Sequence, residues 1–200
     1  MTSKDWYIFL MHDFFNEEVV DNVGFATTRL KPCRVELSYP ENDWGKTWTL
    51  ARTKGLESNC VTFLWRMIHD ILPTRVRLHH LHMPNINSPN CINCNIPESV
   101  QHYLALCPES NTVFSWLLQS LQKLCQDITR DKIFVLDFPQ LNELPLLWLT
   151  AHVLEKVWSL RQSGKRVHLY QIRAEIESKI NLLRKSRYGD SASLIEMMIS

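Results

Sequence analysis

Hydrophobic residues along this 200-residue chain recur mainly at intervals of three and four, which is the spacing of one face of an α-helix. Ser58 can cap the first clear example, which ends at Pro73 and has an apolar stripe of Val61, Leu64, Trp65, Ile68, Ile71 and Leu72. The same spacing predicts helices over 109–126, from Asn142 to Ser163 and from Val167 to Ser186. The pattern therefore predicts a mostly α-helical protein.

Shorter elements are predicted from capping residues and turn signals in the first half of the chain. They are a helix from Ser3 to Phe15, an irregular stretch 16–41 with a short strand at Arg34–Ser38, a helix capped by Asn42 or Asp43 that carries Trp44 and Trp48, and a helix from Thr74 to Met83.

Gly164 separates the last two long helices and fits the position just after a helix end. A link of one to three residues predicts an antiparallel helical hairpin, and the residues after Ser186 are expected to be frayed. We expect three regions: an amino-terminal helix and irregular segment at 1–41, a zinc-binding helical domain at 42–138, and a basic helical hairpin with its tail at 139–200, packed on that domain.

Four candidate metal ligands fall within seventeen residues in the pattern C-x2-C-x7-H-x4-C: Cys91, Cys94, His102 and Cys107. Three thiolates and one imidazole suit the closed tetrahedral shell of one structural zinc ion, which leaves no position for a catalytic water. A helix over Glu98–Leu106, with Pro97 at its first position, is predicted to carry the histidine. The loop is otherwise polar and short, so metal binding can supply its folding energy. The alternative is that the four residues are unrelated. We call residues 91–107 the zinc knuckle.

The chain has six cysteines, and nothing in its sequence resembles a secretion signal. We therefore expect an intracellular, reducing environment, in which clustered cysteines are metal ligands rather than disulfides. The other three, Cys33, Cys60 and Cys125, lie on or beside apolar stretches and are expected to be core residues. No apolar run reaches the roughly 18 residues of a membrane span.

Catalytic motifs are not found. Glycine-rich phosphate-binding motifs are missing, and His79, His80 and His82 lack a nearby cysteine or carboxylate to complete a metal or hydrolase site. A solvated, partly basic face is the simpler interpretation of these histidines. We expect neither an enzyme nor a small-molecule substrate.

Charge is unevenly distributed, although the chain carries only +1 overall. Residues 161–187, the basic segment, hold eight basic and two acidic residues, a net of +6 that leaves −5 for the remaining chain. Its basic residues are Arg161, Lys165, Arg166, Arg173, Lys179, Arg184, Lys185 and Arg187. Such a segment can follow a phosphate backbone, or it can be a solubilising face at a chain end.

Three stretches resemble one known family. They are FLWRMIHDILPTRVRL at 63–78, the C-x2-C…PESVQH…CP unit at 91–108, and LPLLWL at 144–149 followed by KRVHLYQIRAEIE at 165–177. The sequence over 40–187 is similar to the reverse transcriptase zinc-binding domain and the helical tail that follows it. That domain lies at the carboxyl end of the polyprotein of non-LTR, LINE-type retrotransposons.

The resemblance implies a fold, a cofactor and a partner. It implies an irregular helical domain with a small CCHC zinc knuckle, in which Cys91, Cys94, His102 and Cys107 hold one structural zinc ion. It also implies binding of RNA or DNA, with Arg66, Arg75, Arg77, Lys165 and Arg166 as candidates. The basic segment adds Arg173, Arg184 and Lys185.

Polymerase and endonuclease segments are absent, so the resemblance implies an isolated tail without catalysis. A polymerase-bearing element protein is an expected partner, and the nucleus an expected location. The alternative is a non-catalytic protein-interaction or structural helical domain derived from such an element. In that case an exposed apolar patch should take the place of a phosphate-binding face.

Overall fold

The computed structural model describes residues 38–51, 53, 55–186 and 188–200. These residues form a mostly helical structure that contains no β-strand. Three predictions fall outside the described residues: the helix at Ser3–Phe15, the strand at Arg34–Ser38 except for Ser38 itself, and the core position of Cys33.

The long helices occur where the apolar spacing predicts them, with ends shifted by a few residues. The α-helices of the described residues are α1 (Trp44–Leu50), α2 (Ser58–Ile68), α3 (Arg75–His80), α4 (Pro108–Gln122), α5 (Arg130–Phe134), α6 (Glu143–Gln162), α7 (Leu169–Arg184) and α8 (Gly189–Ile199). A single 3₁₀ turn, Gln140–Asn142, precedes α6. Two predicted caps are confirmed, because the side chains of Asp43 and Thr74 accept backbone hydrogen bonds from Lys46 and Arg77.

Helix α6 lies at the centre of the molecule and contacts α2, α4, α7 and α8. Its side chains are buried all the way round from Pro145 to Leu154. A helix that is buried on every side belongs to a protein interior. The hydrophobic core therefore forms around α6, and residues from both the second and the third predicted regions contribute to it. The boundaries of those regions stay a prediction.

Contacts to two carboxylates show that α6 and α7 form the predicted antiparallel hairpin. Lys156 pairs with Glu175 at 2.5 Å, and one turn earlier on α6, His152 shares the carboxylate of Glu57 with Lys179. The partner on α7 moves forward by one turn as the residue on α6 moves back by one turn, which is the register of antiparallel helices. The link between the two helices spans residues 163–168, longer than the one to three residues predicted.

Gly164 closes the carboxyl end of α6 in a left-handed conformation, with φ of 67°. Its N–H donates to Arg161 O at 3.0 Å, and the N–H of Lys165 donates to Leu160 O at 2.9 Å. These two bonds are those of the Schellman motif, in which glycine is favoured because it has no Cβ.

A Gly164→Ala substitution is expected to lower the free energy of unfolding by about 1–2 kcal/mol, the cost of the left-handed conformation for an L-residue. Steric clash adds nothing, because a Cβ at this position would meet no atom within 4 Å. Urea denaturation measures the change. Gly164→Asn is the control, since asparagine tolerates this conformation and should cost less. Equal losses in both variants would contradict the backbone explanation.

The prediction of a frayed tail is wrong for residues 189–199. They form α8, which buries Ala192, Ile195, Met198 and Ile199 against α6 and α7. These residues recur at helical spacing, so the stretch forms a short amphipathic helix that packs on the α6–α7 hairpin. Every helix in the described part of the chain is too short or too polar to cross a lipid bilayer.

Candidate metal centre

A tight turn presents the first two ligands of the knuckle. The backbone N–H of Cys91 donates to Ile96 O at 2.8 Å, and that of Asn95 donates to Cys91 O at 2.9 Å. Asn95 adopts φ of 57°, a left-handed conformation that asparagine accepts more readily than most residues. Asn90 and Pro97 face each other as an antiparallel bridge. The prediction that Pro97 begins a helix is therefore wrong, because its place is in the turn.

The other two ligands lie at the ends of a π-helical segment, His102–Leu106. The backbone N–H of Cys107 donates to His102 O, five residues earlier, at 2.8 Å. Such i to i+5 bonds define the π-turn, which is found often at functional sites. The predicted helix at Glu98–Leu106 exists only from Val100 onward, and Ser99 caps it by accepting the His102 N–H at 3.1 Å.

The four predicted ligand atoms meet at one point, all within 4.8 Å of one another. Cys91 Sγ lies 3.8 Å from Cys107 Sγ, and Cys94 Sγ lies 3.2 Å from His102 Nε2. A tetrahedral site with Zn–S bonds of about 2.3 Å has sulfur–sulfur edges of about 3.8 Å. The donor set and its spacing therefore fit one zinc ion, which the site takes in a closed structural role.

Burial affects the protonation of two of the four predicted ligands. Cys91, His102 and Cys107 are buried, and Cys94 is half-buried. Burial raises the pKa of the Cys107 thiol to about 11, and burial together with the nearby Arg161 charge lowers the pKa of His102. The imidazole is thus available in its neutral, metal-binding form, whereas the thiol loses its proton to bind the metal.

The other cysteines and histidines of the described residues take no part in a comparable cluster. Among the described residues, the knuckle is the single group of three or more metal-ligating side chains that come together. His79, His80 and His82 are exposed. Cys60 is buried in the hydrophobic core, and the partly buried Cys125 packs against that core, as the sequence predicts.

Three of the predicted nucleic-acid candidates line one groove beside the knuckle: Arg75, Lys165 and Arg166. The groove has a volume of about 1020 Å³ and is bounded by α3, the knuckle, the start of α4 and the link from α6 to α7. Lys165 and Arg166 are exposed, and their side chains form no ion pair with any described residue. The groove therefore has a basic rim formed by Arg75 and the α6–α7 link.

The other five candidates lie away from this groove. Arg66 and Lys185 are exposed on α2 and just after α7. Arg77 donates to Asp70 O at 3.3 Å, and Arg173 donates to Ile199 O at 3.3 Å beside the Trp116 ring. Arg184 contacts Asn181 and Glu196. Internal hydrogen bonds thus already engage three of the five side chains.

Arg161 is a functional candidate that sequence reasoning assigns to an exposed basic segment rather than to the metal site. It belongs to the basic segment, yet its side chain is only 6% exposed and its guanidinium lies 3.5 Å from Cys91 Sγ. Seventy positions separate the two residues in sequence, so helical periodicity carries no signal of this contact.

The fold and the site define a helical zinc-binding protein with a closed Cys3His centre. Residues 35–116 match the family model described as zinc-binding in reverse transcriptase. The match includes all four ligands and ends within α4. No curated protein and no solved structure matched the chain.

Proposed function

We propose that the chain is a zinc-stabilised nucleic-acid-binding module that acts without catalysis of its own. The observation that carries the proposal is the basic rim of the groove, where Lys165 and Arg166 are exposed next to the zinc knuckle. Two adjacent cations that pair with no acidic residue of the described part of the chain suit contacts to phosphate groups, which supply most of the affinity of sequence-independent binding.

The zinc ion serves this function by position. The knuckle forms one wall of the groove through Ile92 and Asn93, and Asn93 contacts Glu109 at the start of α4. Four protein ligands complete a tetrahedral shell, so the metal fixes this wall and has no open position for a reacting water. Phosphate contacts of this kind orient a nucleic acid without selecting its sequence.

The family match supports a wider context for the same module. The matched domain is described as zinc-binding in reverse transcriptase, a context in which RNA or DNA is the ligand class we propose for this chain. We extend the proposal to the carboxyl-terminal tail of a non-LTR retrotransposon protein. A polymerase-bearing element protein is then its partner, and the nucleus its place of action.

Replacing Lys165 and Arg166 together by alanine is expected to weaken nucleic-acid binding and reduce its salt dependence. If each side chain neutralises one phosphate, the slope of log K against log salt falls by about 1.4 for a single strand and about 1.8 for duplex DNA. Fluorescence anisotropy over a salt series, with single-stranded RNA, hairpin RNA and duplex DNA, measures both quantities.

Lys185→Ala is the matched control, because it removes an exposed cation outside the groove. An equal loss of slope per charge in the control would show that binding is spread over the basic segment. If the unaltered protein binds none of the three probes at low salt, nucleic-acid binding is the wrong function.

A protein-interaction domain is the second candidate, and exposed apolar side chains of the knuckle favour it. Ile92, Ile96 and Leu106 are largely exposed around the metal ligands. On this alternative, Ile92→Ser abolishes capture of the polymerase-bearing partner, whereas the Lys165 and Arg166 substitutions leave capture unchanged. The reverse result favours the nucleic-acid proposal.

A further inference from the structure

We infer that Arg161 is a positioning residue of the metal centre, which holds the Cys91 thiolate in place from outside the family-matched segment. Its side chain extends from the last turn of α6 into the knuckle and is almost completely buried. The inference concerns the zinc site and does not depend on nucleic-acid binding.

The guanidinium makes four contacts at once, all within residues 91–103. One Nη donates to Tyr103 O at 2.6 Å, and the other lies 3.5 Å from Cys91 Sγ and 3.4 Å from Glu98 Oε2. The guanidinium carbon lies 3.6 Å from the centroid of the Tyr103 ring. A planar group with five fixed donors can satisfy these acceptors together, whereas the ammonium of a lysine is a single point charge.

Charge balance explains why a buried cation is stable at this place. Zinc with three thiolates and a neutral imidazole carries a net charge of −1, and the guanidinium supplies a positive charge beside one thiolate. Glu98, whose side chain is 7% exposed, pairs with the guanidinium and also accepts the backbone N–H of Arg75 at 3.0 Å. A buried cation without such partners would be costly, so the pair fixes the direction in which Arg161 points.

The position of Arg161 has a consequence for the extent of the metal site. The family match ends at residue 116, so it includes the ligands and leaves Arg161 out. Hydrogen bonds from outside the ligand set orient ligands and influence how firmly a metal is held, typically by 10–100-fold in affinity. The metal centre of this protein thus extends to α6.

Arg161→Met tests the inference, because methionine keeps a long apolar stem and removes every donor. We expect the zinc affinity, measured by competition with a chromogenic chelator, to be about 10–100-fold lower than in the unaltered protein. Cys91 should then be alkylated by iodoacetamide before Cys94, as located by mass spectrometry. Arg166→Met is the matched control and should leave both measurements unchanged.

The alkylation rate of Cys60, a thiol buried in the core, distinguishes global unfolding from a local effect at the metal site. If Cys60 is alkylated as fast as Cys91, the variant is globally unfolded. In that case the milder substitutions Arg161→Lys and Glu98→Gln are used to test the inference. Weaker zinc binding with early Cys91 labelling in these folded variants supports the inference. A folded Arg161→Met or Arg161→Lys protein that keeps its zinc as the unaltered protein does overturns it.

Discussion

Removal of zinc by a chelator is expected to unfold the knuckle and to lower the thermal stability of the whole protein. The turn at the first two ligands buries little besides Cys91, since Ile92, Asn93, Asn95 and Ile96 are exposed. Structural zinc sites contribute about 10–16 kcal/mol of apparent binding free energy in zinc-finger peptides at neutral pH, so this loop depends on its metal. Metal analysis and circular dichroism, before and after chelation, measure the effect.

Ligand substitutions distinguish loss of the metal from a general effect of changing cysteines. Cys107→Ser is expected to abolish the one-zinc stoichiometry and to reproduce the effect of chelation. Cys125→Ser changes a half-buried thiol outside the cluster and should keep both zinc and fold. A metal-free protein with undiminished helicity and an unchanged melting temperature would refute the structural role of zinc.

Leu154→Ala is expected to cost about 2–5 kcal/mol in the free energy of unfolding, the range for large-to-small substitutions in protein cores. Leu154 is 0% exposed and lies on α6, the helix around which the core forms. Neighbouring helices on several sides cannot all move in to fill the cavity, which favours the upper part of this range. Urea denaturation monitored by tryptophan fluorescence gives the value.

Leu141→Ala is the control for this substitution, because Leu141 is 91% exposed immediately before α6. Its effect should be within about 0.5 kcal/mol, as for most surface positions. Comparable losses at the two positions would contradict the central place of α6.

The long helices and the ligand set are predictable from sequence because their signals are local. Val61, Leu64 and Ile68 fall on one helical face, and the spacing of Cys91 and Cys94 lets both sulfurs turn to one point. Both kinds of signal depend only on residues that are close in sequence.

The features that sequence reasoning misses depend on contacts between distant segments or on backbone detail. The burial of Arg161 needs acceptors from the knuckle, and the stability of α8 needs the surface of α6 and α7. The apolar residues of α8 have helical spacing, but their number is small and the segment lies at the end of the chain. Periodicity also cannot distinguish a π-turn from an α-turn over five residues.

The π-turn between His102 and Cys107 ties the ligand spacing to the winding of the backbone. In an α-helix one residue more or less rotates a side chain by about 100° around the axis. A single-residue insertion or deletion between these two ligands would therefore turn one donor atom away from the other three. The backbone winding therefore fixes the length of the H-x4-C interval, just as the hydrogen bonds of Cys91 and Asn95 fix the length of the turn before it.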